Sequence, residues 1–158
     1  MYKNEKTIEV LNDLIRVNID RISGYEKASH PDRGTDPGAR NIFYKMAMES
    51  RSYINELHAE VLHMGGAPVE KNTISGKIYL FWLDLKAHFQ GIDSQSLLVS
   101  SEFGEQAIQK TYDKALDTAA DLPYKIVSMI RDQKMAMRRA LDLVKRYRDF
   151  AIINIHHN

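Results

Sequence analysis

The sequence predicts an all-α protein: a bundle of four long helices with one long crossover between the second and third, carrying a short fifth helix. Three observations predict it. Apolar residues recur at three and four positions through four stretches of roughly 26 residues, each about 40 Å long at 1.5 Å per residue. Glycine and proline fall between these stretches. The connections are short within the first and last pairs and about 27 residues long between them, enough to travel the length of a bundle. No strand period, internal repeat or low-complexity tract competes, and 158 residues make one domain over 1–158 with a sizeable core.

The first helix, about 3–29, carries Ile8, Leu11, Ile15, Ile19, Ile22 and Tyr25 on its stripe, with Asn18 at the edge and Glu9, Asp13, Arg16 and Asp20 opposite. "HPDRGTDPG" breaks it. The second, about 39–65, reads Phe43, Ala47, Ser50, Ile54, Leu57, Val61, Met64 and stops at "GGAP", a glycine C-cap signal followed by proline. The third, about 74–90, is apolar almost all round from Ile78 to Leu85. It also fits a buried strand, but "DLKAHF" continues without a turn signal, which favours a helix. Asp93 and Ser94 offer an N-cap to a helix over about 94–120, whose stripe is Ser101, Glu105, Ile108, Tyr112 and Ala115. Pro123 suits the first position of the last helix, about 123–153, with Ile126, Ile130, Gln133, Met137, Leu141, Val144, Arg148 and Ala151 inward. Two antiparallel hairpins joined by one crossover make the ferritin-like topology; an up-down bundle with an appended helix is the alternative.

Composition excludes several functions. Cysteine is absent, so disulfides, iron–sulfur clusters and thiol chemistry are ruled out, and a reducing cytoplasm suits the chain. Twenty-two basic residues against twenty-one acidic ones call for neither nucleic acid nor an anionic membrane. "RDQKMAMRRALDLVKRYRD" interleaves its basic residues with acids and reads as a solvated face. The N-terminal twenty residues are too charged for a signal peptide, and no apolar run approaches a membrane span.

Thr73, Gly76, Trp82, Asp84, Leu85, Lys86, Gly91, Asp93, Glu102, Gly104, Glu105, Tyr112, Ala115, Leu116 and Leu122-Pro123, together with "LNDLIRVNIDRISGYEKA" and "ELHAEVLHMGGAP", carry a resemblance over nearly the whole chain. The sequence resembles a bacterial family of four-helix-bundle proteins of unknown function in the ferritin-like superfamily. The resemblance implies fold and kinship, and the family lends no settled activity. Where relatives carry a histidine on the last helix, this chain reads Leu141.

Glu105 stands on an apolar stripe, with Glu102 one turn earlier on its flank. A ferritin-like di-iron site needs a glutamate from each of two helices and Glu-x-x-His from each of the other two. The chain has one Glu-x-x-His, Glu60 to His63, and no histidine on the last helix before its tail. Glu60 lies roughly 16 Å along the bundle from Glu105, and Glu60 and His63 read as solvent-facing. At the height of Glu105 stand Asn18 and Ile19, Glu49 and Ser50, and Met137 to Leu141. The candidate metal ligands are therefore Glu105, Glu102 and Glu49. A buried carboxylate without a cation needs a donor. Asn18 is the nearest, with Ser50, Ser101, a tyrosine, or an arginine such as Arg51 or Arg139 as others. Gln133 falls level with Tyr112 and suits a buried hydrogen bond; Arg148 suits an ion pair near Glu26 and Tyr25. Met46, Met48, Met64, Met129, Met135 and Met137 read as core filler.

Two functions follow. The first is a non-catalytic bundle acting through self-association or another protein, with no cofactor, as a homodimer or larger assembly formed through the Ile78–Leu85 helix, whose second apolar face needs cover. The alternative is a metal-dependent oxidase or iron-handling protein, with iron held by Glu105, Glu102 and Glu49.

Overall fold

The computed structural model describes residues 2–30, 36–71 and 94–157, with side chains over 4–30, 36–71 and 97–150. Four long helices carry the fold: α1 (Tyr2–Ala28), α2 (Pro37–His63), α3 (Ser94–Leu116) and α4 (Tyr124–His157). A single 3₁₀ turn, Ala119–Asp121, lies between α3 and α4, and no strand occurs among the described residues. The helix expected over 74–90, its Ile78–Leu85 surface and the Asp93 cap lie outside the described residues.

Each helix end has a local cause. Asp36 caps α2, its carboxylate accepting from the Ala39 amide at 2.9 Å, and Pro37 takes the first turn, where no amide is needed. The α2 C-terminus closes as a Schellman turn: Gly65 at φ 78° lets its own amide reach Leu62 O at 3.0 Å and that of Gly66 reach Val61 O at 2.9 Å. Gly66 also lies against Ile8, where an added Cβ would meet the side chain at 2.8 Å. α3 stops at Leu116, about a turn before the sequence suggests, because Thr118 turns its hydroxyl onto Ala115 O at 2.7 Å. Pro123 is the cap of α4 rather than its first residue; its carbonyl accepts from the Ile126 and Val127 amides.

Cross-helix hydrogen bonds give the topology. Arg21 on α1 reaches Met46 and Ser50 on α2 and Glu105 on α3, while Asn18 reaches Tyr112. Tyr112 reaches Gln133 on α4, Gln133 reaches Tyr53, and Tyr147 reaches Asp36. Earlier on α1, Ile8 packs on Gly66 just past α2, and later on α4, Arg148 pairs with Glu102 on α3, so rising numbers on one helix meet falling numbers on its neighbour in each bonded pair. Hence α1 and α2 are antiparallel, α3 and α4 are antiparallel, and α2 runs parallel to α3 across the bundle. That is the one-crossover order.

Two apolar clusters fill the interior. One gathers Leu11, Leu14, Ile15, Leu57, Val61, Ile108, Tyr112, Ile126, Ile130 and Met137. The other gathers Tyr25, Ala39, Phe43, Met46, Leu98, Ala140 and Val144. Of the methionines expected as filler, Met46 and Met137 are buried, but Met48 and Met135 are exposed on outward faces. No helix among the described residues is long and apolar enough to cross a membrane.

Candidate functional site

Between the two apolar clusters lies a layer of buried polar side chains: Asn18, Arg21, Ser50, Glu105 and Gln133, each at most 2% exposed. Arg21 is its centre. Its Nε donates to Glu105 Oε1 at 2.7 Å, and its Nη1 donates to Met46 O at 3.0 Å and Ser50 Oγ at 2.9 Å. Its Nη2 stands 4.0 Å from Glu49 Oε2. Tyr25, one turn on, donates from its hydroxyl to the same Glu105 Oε1 at 2.5 Å, and the Arg21 guanidinium lies 5.4 Å from the Tyr25 ring centroid. Phe43 stacks on the Tyr25 ring, with centroids 5.6 Å apart.

A second chain of bonds runs beside the first. Asn18 Nδ2 donates to Leu14 O at 2.8 Å and to Tyr112 Oη at 2.9 Å, and Tyr112 donates to Gln133 Oε1 at 2.6 Å. The expected tyrosine–glutamine bond is there. Tyr53 donates to Glu49 Oε2 at 3.1 Å, which ties the half-exposed end of the layer to its interior. Three buried atoms have no hydrogen-bond partner among the described residues: Asn18 Oδ1, Arg21 Nη2 and Glu105 Oε2.

The titration behaviour follows from this packing. Burial alone would weaken the Arg21 cation; the neighbouring Glu105 charge, with Tyr25, the Glu105 hydrogen bond and Glu49, outweighs it and holds the guanidinium firmly protonated. Burial, then the Glu105 charge, pushes the Tyr25 phenol well above its usual range. Tyr112 and Tyr53 are raised chiefly by burial, with Glu49 adding to the second. Burial also raises Glu49, and the attraction of Arg21 only partly reverses it.

The three carboxylates named from sequence do not converge. Glu105 and Glu49 flank one guanidinium, whereas Glu102 turns to Arg148 on α4, with Lys145 4.0 Å away. The donor to Glu105 is Arg21 with Tyr25, not Asn18, which sits one turn away and serves Tyr112. Arg148 does form an ion pair, but with Glu102; Glu26 pairs with Arg51 instead. The reason is the diagonal arrangement: α4 borders α3, and α1 lies across the bundle. Glu60 is not solvated as expected, since its side chain is 14% exposed and pairs with Lys125 at 2.9 Å, while His63 is exposed.

Sequence reasoning missed Arg21, because arginine is ordinarily a surface residue. Its signal was present: Leu11, Leu14, Asn18, Arg21, Tyr25 and Ala28 alternate in steps of three and four, and all six are buried. A di-iron centre needs inward imidazoles and carboxylates from all four helices. At this height a guanidinium stands between the carboxylates, and no group of three or more histidine, aspartate or glutamate side chains assembles for a metal among the described residues. The layer does not fit such a centre.

Helix order and interior together define an all-α, ferritin-like bundle. Among solved structures the chain is similar to one described as ferritin-like, diiron-carboxylate proteins from Bacillus anthracis str. Ames, with a TM-score of 0.70 at 16% identity, covering 93% of this chain and 98% of that one. At that identity the likeness shows the fold alone. The family described as "Domain of unknown function (DUF2383)" matches residues 6–118, and the chain belongs to it. No curated protein matches it in sequence.

Proposed function

We propose that the protein is a non-catalytic ferritin-like bundle of the cytoplasm that acts by associating with itself or with another protein. One observation carries the reading: the chain's own Arg21 and Tyr25 both donate to Oε1 of the mid-bundle carboxylate Glu105, so a guanidinium stands where a cation would. A carboxylate held by two donors, beside a fixed positive charge, is a poor ligand for an incoming cation. Association is the activity that such a sealed interior leaves to the surface, and the apolar Ile78–Leu85 segment supplies a candidate contact.

The test is metal content. Untagged wild-type protein should carry no stoichiometric transition metal by elemental analysis, and iron(II) titration under air should give no saturable uptake. The second reading, an iron-handling protein with Glu105, Glu102 and Glu49 as ligands, draws on the description of the similar Bacillus anthracis structure. Stoichiometric iron in the wild type that disappears in Glu105→Gln would reverse the ranking.

A further inference from the structure

We propose that Arg21 plugs an all-oxygen cation site, and that removing its charge opens the bundle centre to one hard divalent cation. The inference rests on the reading that the wild-type interior is sealed against metal.

The guanidinium is surrounded by oxygen. Glu105 Oε1 from α3 and Met46 O and Ser50 Oγ from α2 accept its hydrogens, and Glu49 Oε2 from α2 stands 4.0 Å from Nη2. Among the described residues, all four of these neighbours are oxygens. Oxygen-only surroundings of two carboxylates, a carbonyl and a hydroxyl suit Mn²⁺ or Mg²⁺ better than the imidazole-rich shell of an iron oxidase. Charge points the same way. Arg21 offsets Glu105 directly and the half-exposed Glu49 at longer range; without it, both carboxylates lose that positive charge, a deficit that a divalent ion matches.

A second observation shows that the set is not saturated by the arginine. Glu105 Oε2 is buried, with no hydrogen-bond partner among the described residues, and Arg21 Nη2 likewise has no hydrogen bond. Glu105 thus retains a whole oxygen for a ligand while its other oxygen stays held by Tyr25. The Glu49 side chain is 37% exposed, so the oxygen set extends from the buried layer toward the surface.

The experiment compares wild type, Arg21→Gln and Arg21→Gln/Glu105→Gln by calorimetric titration with Mn²⁺ and by thermal melting, with helicity followed by circular dichroism. Arg21→Gln keeps a donor near Ser50 and removes the charge. The expected result is one Mn²⁺ per chain in Arg21→Gln, with a Tm rise of several degrees at about 100 times the Kd. The wild type and the double variant should show neither. A helical Arg21→Gln protein whose Tm and heat signal ignore Mn²⁺ would overturn the proposal while leaving the sealed-interior reading intact. Stoichiometric Mn²⁺ binding by the wild type would overturn both. If Arg21→Gln does not fold alone, it is refolded with Mn²⁺; recovered helicity supports the proposal, and none overturns it.

Discussion

Replacing Arg21 by methionine would remove the cation yet leave Glu105 where water cannot reach it. Breaking a buried pair from one side costs about 3–5 kcal/mol, because the surviving charge is stranded. Arg21→Met should lower stability by that amount in urea unfolding. Replacing both partners by apolar side chains is often neutral or better, so Arg21→Met/Glu105→Leu should recover most of the loss. A double variant as unstable as the single one would mean that Glu105 is held mainly by Tyr25. Glu49 adds a pH dependence of known sign. Its folded pKa is raised by burial, so the folded state prefers the protonated acid, and stability falls as pH rises from below the usual carboxylate range through the raised value. Glu49→Gln should therefore raise the urea midpoint at pH 7 and leave it little changed at pH 4. A variant weaker than wild type at pH 7 would show that the ionised Glu49–Arg21 attraction outweighs the burial cost.

Among the helices, the N-terminus of α2 depends on one side chain with two roles. Asp36 accepts the Ala39 amide and also the Tyr147 hydroxyl from α4, which closes the bundle at that end. Gly38 lies against the hydroxyl end of Tyr147, so no Cβ fits there without moving that side chain. Losing the cap costs about 1 kcal/mol, and losing the tyrosine bond about 1 kcal/mol more. Tyr147→Phe should thus lose roughly half of what Asp36→Ala loses, by thermal melting. Equal losses would place the whole effect in the α4 contact. The helices themselves were legible from sequence. Periodicity and the breakers at "HPDRGTDPG" and "GGAP" located α1 and α2 within two residues at each end, because those signals are local. What was illegible was rotation. Ile19 and Ile22 look like core by residue type but are only half-buried, while Asn18 and Arg21 are the buried pair. A polar residue in a core position is recognised only with its partner, and Glu105 lies 84 positions away from Arg21 in the chain.

Viewed as a whole molecule, the polar layer divides the interior into two apolar compartments, each built from all four helices. Such a layer fixes helix register: sliding one helix by a turn would leave Arg21, Glu105 and Asn18 buried without partners, while the apolar contacts on either side would tolerate the shift. The crossover topology could be inferred from connection lengths, whereas the depth of the layer could not, since helix–helix register follows from these long-range bonds. The Ile78–Leu85 segment is the most apolar stretch of the sequence. We propose that it meets a second copy. Trp82, the single tryptophan, lies within that segment and reports on it directly. In a self-associating chain, light scattering at micromolar concentration gives a mass at least twice 18.2 kDa. Dilution should then shift the Trp82 emission to the red as the contact opens to water, and Leu80→Glu should produce both changes without dilution while far-ultraviolet dichroism stays helical. A single 18.2 kDa species whose Trp82 emission is independent of concentration would remove self-association and leave a different protein as the partner.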